Sequence, residues 1–190
     1  AAGAVLHLRR HAEEFHLNPD KIALCGFSAG GHLAACAAVL WDQPEVQQAL
    51  GITGTEARPN AVALGYPVIT MGQYTHAGSA RNLAGEDADL LARMSLENQI
   101  RPGLPPFFIW HTVADHAVPV QNSLMLADAL EACDDSYELH LFARGDHGSS
   151  TCNAEVNTPM PHNAAWLPLC IGWLNETLDF SLDTAPGGQG

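Results

Sequence analysis

Gly26-Phe27-Ser28-Ala29-Gly30 sets a serine between two glycines, each two positions away. A G-x-S-x-G turn between a strand and a helix lifts a serine hydroxyl clear of the backbone for nucleophilic attack. The glycines are expected because side chains two positions from the serine would strike the flanking elements. Ala29 would open the following helix, with its N–H facing the place where an oxyanion forms. The plainer alternative is a glycine-rich turn in which the serine only caps a helix. The apolar run before Ser28 and the helical pattern after it favour the nucleophile.

A serine nucleophile needs a base, and the base needs an orienting acid. In a strand–elbow–helix architecture both follow the serine, the acid first and then the histidine, on loops after later strands. Asp115 follows the apolar run Phe107-Phe108-Ile109-Trp110, and His147 follows the run from Tyr137 to Phe142. There are ten histidines. His7, His11, His16 and His32 precede the acid, His140 sits within a strand, and His111 and His116 flank the acid. His162 leads into the last helix and is the weaker rival. Asp146 is the rival acid. An immediate neighbour rarely turns its carboxylate onto the inner nitrogen of the adjacent imidazole, so Asp115 ranks first.

The elements that must position these groups read as follows. Val5, Leu8, Ala12 and Phe15 recur at helical spacing until Asn18-Pro19-Asp20 stops them. Ile22-Ala23-Leu24-Cys25 is a short, wholly apolar run, the pattern of a strand buried on both faces of a parallel sheet. A helix over 33–40 follows. Ala61-Val62-Ala63-Leu64 and residues 107–110 are two more buried strands, and 137–142 alternates as a fourth. Helices are expected over 123–132 and 164–178, the second bent at Pro168. Helix and strand in alternation mean an α/β fold with a mostly parallel sheet flanked by helices. Residues 70–103 break the rhythm, with one helical segment at 88–94. They read as a lid-like insertion over the strand ends. Residues 181–190 read as a disordered tail.

The chain has 190 residues, with 8 Lys plus Arg against 21 Asp plus Glu, a net charge of −13. Such an acidic chain lacks the clustered cations that bind nucleic acid. No apolar run approaches the roughly 18 residues a membrane helix needs. Five cysteines without a CxxC pair predict no disulfide framework, which fits a reducing, cytoplasmic compartment. No HExxH or clustered Cys/His spacing suggests a metal, and no cofactor is implied. Asn175-Glu176-Thr177 matches a glycosylation sequon but falls in a helical pattern.

The run GFSAGGHLAA at 26–35 resembles the elbow of the α/β-hydrolase esterases, above all the bacterial carbohydrate-esterase-like group of acetylxylan and feruloyl esterase type. Gly65-Tyr66-Pro67-Val68, residues 79–85, PPFFIWHTVADHAVPVQNS at 105–123, residues 138–148 and Trp173-Leu174 share the resemblance, which spans most of residues 1–180. It implies an α/β-hydrolase fold and a serine esterase. Ser28 would be the nucleophile, Asp115 the acid, His147 the base and Ala29 an oxyanion donor. The implied substrate is a short-chain acyl ester of a carbohydrate or small alcohol. Two departures stand out. Ser149-Ser150-Thr151-Cys152 replaces the Gly and apolar residues that usually follow the histidine. The upstream HGGG-like loop and the first strands of the sheet are absent. The chain starts on Ala1 in mid-helix, so an N-terminally truncated domain is expected. Two alternatives remain open: a prolyl-oligopeptidase-type serine peptidase, and a catalytically impaired fragment or binding module.

Overall fold

The computed structural model describes residues 1–156 and 159–180. The tail expected at 181–190 lies outside the described residues. In chain order the elements are α1 (Ala2–Arg10), β1 (Ala23–Phe27), α2 (Ala29–Val39), α3 (Pro44–Leu50), β2 (Ala61–Gly65), α4 (Ala77–Ala84), α5 (Ala88–Met94), β3 (Phe107–Thr112), α6 (Gln121–Ala132), β4 (Tyr137–Phe142) and α7 (Trp166–Leu178). Short 3-10 turns at Leu96–Asn98 and Asn163–Ala165 complete the set. The strands lie side by side in the order β1-β2-β3-β4, and every pairing is parallel.

Parallel pairing requires a crossover between consecutive strands; the crossover helices α2 and α6 cover one face, and α7, after the last strand, covers the other. On one face Ala35, Ala38 and Val39 of α2 and Leu126 and Leu130 of α6 pack on Val62, Leu64, Phe107 and Ile109. On the other, Trp166, Cys170 and Trp173 of α7 pack on Ala61, Ala63, Phe108 and Trp110. β2 and β3 are buried at every position, which is why their sequences carry no polar alternation.

Several expectations are corrected. β1 is not buried on both faces: Ala23 and Leu24 are half-buried and Cys25 is exposed. Among the described residues it pairs with β2 alone and forms an edge of the sheet. α1 stops at Arg10, before the predicted end. Irregular turns follow, His16 takes a positive φ of 54°, and Phe15 lies on the surface beside His7 and His11. α3 and α4 lie outside the helices read from sequence, yet α3 has proline at its start and a left-handed glycine, Gly51, just past its end, the signature of those two boundaries. Pro168 is the third residue of α7, after a 3-10 turn. The N–H groups of a first helical turn have no intrahelical acceptor, so proline removes no helix bond there.

Residues 70–103 are fastened at both ends. Asn122 Oδ1 accepts from the Ile69 and Thr70 N–H groups at 2.8 and 3.0 Å. Its amide nitrogen donates to Tyr74 O and Pro119 O. Further on, Ser95 Oγ accepts from Met71 N–H, Leu96 is wholly buried in the core, and His32 of α2 is bonded through Nε2 to Met94 O at 2.9 Å.

Candidate active site

β1 ends in the elbow. Ser28 takes φ 56° and ψ −123°, a left-handed region that L-residues avoid. Three backbone bonds hold it there. Its N–H donates to Gly65 O, and its carbonyl accepts from His32 N–H and Val68 N–H. A Cβ on Gly26 would lie 2.3 Å from Gly30 O, so Gly26 is required. Gly30 itself would meet nothing within 4 Å, which corrects the symmetrical expectation. The second close approach falls at Gly31, whose Cβ would stand 2.8 Å from Pro67 Cβ. Ala29 is the first residue of α2, so its N–H is one of the donors a helix start leaves without an intrahelical acceptor.

The other two expected residues reach Ser28 from β3 and β4. Ser28 Oγ lies 2.8 Å from His147 Nε2, and His147 Nδ1 lies 2.6 Å from Asp115 Oδ2. Asp146 is exposed. His162 sits edge-on to Phe142 instead. With Nδ1–H donating to the carboxylate, Nε2 is left as the acceptor for the Ser28 hydroxyl proton. The arrangement can take a proton from a serine oxygen and hold the resulting imidazolium beside an anion.

Asp115 is 5% exposed. Its Oδ1 accepts from the Ala117 and Val118 N–H groups, each at 2.9 Å. Burial by itself pushes the carboxyl up. Hydrogen bonds from His111, His147 and the Val118 N–H outweigh it and hold the carboxyl well below the usual carboxylate range. Asp115 is therefore an anion at neutral pH.

Among the described residues, the loop carrying His147 has the densest run of positive-φ positions. Gly145 and Gly148 have φ of 136° and 82°, and Ser150 and Cys152 have φ of 44° and 58°. The Ser149-Ser150-Thr151-Cys152 departure is thus built into the loop's turns. Thr112 Oγ1 donates to Gly145 O, Asn163 Nδ2 to Arg144 O and Trp166 Nε1 to Ser150 O. Tyr66 completes the support. Its ring stands edge-on to the His147 ring at 4.9 Å, and its hydroxyl oxygen accepts from Ser150 N–H at 2.7 Å. Burial pushes the Tyr66 phenol up, so it stays neutral. Sequence reasoning assigned Tyr66 no role. The available signal was its place just after β2, at the sheet end from which Ser28, Asp115 and His147 all project.

A cavity of about 470 Å³ opens beside Ala29. Leu33 and Cys36 of α2 line it with Met71, Leu83 and Met94, and Ser79 and Asn82 add polar groups. Burial pushes the Cys36 thiol up to about 12, so it is no nucleophile there. Among the described residues no helix is long and apolar enough to cross a membrane.

Comparison with known proteins places this architecture among the α/β-hydrolase esterases. The chain is 32% identical to the acetyl ester-xyloside bifunctional hydrolase from Caldicellulosiruptor lactoaceticus, with a TM-score of 0.81 over 94% of this chain and 65% of that one. A carboxylesterase from Lactobacillus plantarum gives 29% identity and a TM-score of 0.82 over 95% and 67%. The BD-FAE family matches residues 2–130, and the chain belongs to that family. It is 39% identical over 159 residues to endo-1,4-beta-xylanase B of Butyrivibrio fibrisolvens, 80% of this chain but 24% of that protein. It is 31% identical over 148 residues to an acetylxylan esterase of Xylanibacter ruminicola, 74% of this chain and 28% of that protein. The chain thus spans about a quarter of the length of these curated relatives.

Proposed function

We propose that the chain carries the catalytic serine, acid and base of an esterase that cleaves short acyl groups from carbohydrates or small alcohols. The observation that carries this reading is the continuous hydrogen-bonded line from Ser28 Oγ through His147 to Asp115, at 2.8 and 2.6 Å, with the serine held in a strained turn. His147 Nε2 takes the Ser28 proton as Oγ bonds to the ester carbonyl carbon. The Ala29 N–H faces the oxyanion. The bond from that carbon to the alkoxy oxygen then breaks, and the departing alcohol takes the proton from His147. Water attacks the acyl-serine, gives its proton to His147, and releases the carboxylic acid as the proton returns to Ser28. Asp115 keeps the proton on His147 Nδ1 and stabilises the imidazolium. Residues 70–103 serve as a wall over the cavity beside Ala29, and the relatives named for acetylated xylan make an acetylated sugar the first substrate to try.

The test compares the chain with Ser28→Ala on p-nitrophenyl acetate, acetylated xylooligosaccharides and proline-containing amides. Ester hydrolysis is expected, with a loss of about 10³-fold or more in the variant and an unchanged circular dichroism spectrum. A variant that keeps more than about a tenth of the rate removes Ser28 from the chemistry. Faster cleavage of the amides than of the esters replaces the esterase with a peptidase.

A further inference from the structure

Asp115 has a second imidazole beside it. His111, the fifth residue of β3, is wholly buried. Its Nδ1 lies 2.8 Å from Ser123 Oγ on α6, and its Nε2 lies 3.0 Å from Val118 O and 3.4 Å from Asp115 Oδ2. Val118 O can only accept, so Nε2 bears the hydrogen and Nδ1 accepts from the Ser123 hydroxyl. The Nε2–H is therefore hydrogen-bonded to the carbonyl, and 3.4 Å from Nε2 stands the same carboxylate oxygen that receives His147 Nδ1–H. Ser123 is wholly buried too, so water does not compete for this arrangement.

We propose that His111 is a positioning residue of the reaction, with Ser123 fixing its tautomer so that the positive end of its Nε2–H stands beside the Asp115 Oδ2 that His147 Nδ1–H is bonded to. This rests on the esterase reading for its catalytic meaning, though not for its geometry. The consequence is chemical as well as steric. Two backbone N–H groups hold Oδ1, so Oδ2 is the oxygen that answers to the imidazoles. A positive N–H end beside Oδ2 draws charge towards itself and weakens the oxygen's hold on the His147 proton. The hydroxyl on His111 Nδ1 polarises the ring and makes the Nε2–H end more positive. The line Ser123–His111–Asp115–His147–Ser28 thus runs from α6 to the elbow through three hydrogen bonds and one electrostatic contact. A histidine that only filled space would need neither contact.

The readout is the His147 Nδ1–H proton resonance. A charge-assisted 2.6 Å bond to a carboxylate places such a proton far downfield. It is assigned in the whole chain by 15N-histidine labelling and by its loss in His147→Gln. In His111→Leu the N–H end beside Oδ2 is gone and the resonance is expected to move further downfield. In His111→Gln the amide N–H can replace Nε2–H, and the resonance is expected to return towards the parent position. Ser123→Ala, which keeps the ring and changes little volume, is expected to shift it in the same sense as His111→Leu and by less. A folded His111→Leu with an unmoved resonance overturns the proposal, as does a His111→Gln that moves as far as His111→Leu. If His111→Leu does not fold, an unmoved resonance in Ser123→Ala overturns it. None of these spectra needs turnover. p-Nitrophenyl acetate hydrolysis by the parent reports separately on the esterase reading.

Discussion

The proposed acid, Asp115, and the proposed base, His147, follow neighbouring strands and are held in opposite ways. Asp115 follows β3, a strand buried at every position, and lies in a tight turn where backbone N–H groups and two imidazoles meet its carboxylate. His147 follows β4, half-buried over most of its length, in a loop with four positive-φ residues. Distant side chains must fasten that loop: Tyr66, Thr112, Asn163 and Trp166. The acid's place is set by local chain geometry, whereas the base's place is set by tertiary contacts. Changes at the first should alter chemistry sharply. Changes around the second should loosen geometry by degrees.

The largest contrast is expected between the two candidates for the acid. Asp115→Asn removes the anion and favours the wrong His147 tautomer, which should lower turnover on p-nitrophenyl acetate by about 10⁴-fold. Asp146→Asn alters an exposed side chain and should change turnover less than about twofold, as surface substitutions usually do. Steady-state rates for the two variants check this, and the reverse ranking would reassign the acid.

Next come the glycines of the elbow. Gly26→Ala drives a Cβ into the Gly30 carbonyl and should destabilise by about 1–3 kcal/mol. Gly30→Ala meets open space and replaces glycine within a helix, where alanine gains up to about 1 kcal/mol. Thermal unfolding should move Tm in opposite directions for the two. Equal losses would mean that the turn is not held as described.

A smaller effect is expected at Tyr66. Tyr66→Phe keeps the ring against His147 but leaves Ser150 N–H without its acceptor. One such bond is worth about 1 kcal/mol, so turnover should fall by only a few-fold while Tyr66→Ala, which also removes the ring, falls further. Rates for both variants on the same ester decide whether ring or hydroxyl matters more.

The smallest effect is in the pH dependence of stability. The Asp115 carboxyl is held below its ordinary value, and an unfolded aspartate titrates near about 3.9. Its stabilising contribution is therefore complete above about pH 5 and is lost progressively as the pH falls below the unfolded value towards the lower folded one. The Tm difference between the chain and Asp115→Asn should be constant from about pH 6 to 7 and narrow by about pH 3. A difference that widens on acidification would reverse the sign of the shift.

The same contrast explains what could be read in advance. Ser28, Asp115 and His147 were legible because a strained elbow and an acid-then-histidine order leave marks in the sequence itself. β2 and β3 were legible from unbroken apolar runs. The edge position of β1 was legible from the absent first strands, whereas the exposure of Cys25 was not: it conflicts with the reading of that run as buried on both faces, because an apolar run does not say what covers each face. Nor was the difference between Gly26 and Gly30, which depends on which side of the turn a Cβ would face. Tyr66 and His111 stayed hidden for a further reason. Each acts through a residue far away in the chain or through a fold-dependent hydrogen bond, and no spacing rule encodes that.

The most direct measurement of the central claim is covalent capture of the nucleophile. As His147 removes its proton, Ser28 Oγ should bond to the phosphorus of a fluorophosphonate and expel fluoride to solvent, which leaves one phosphonyl group on the protein. Peptide mass spectrometry is expected to find that group on Ser28, and to find it lost in Ser28→Ala and strongly reduced in His147→Gln. An unmodified Ser28, or a group on another serine, would contradict the account.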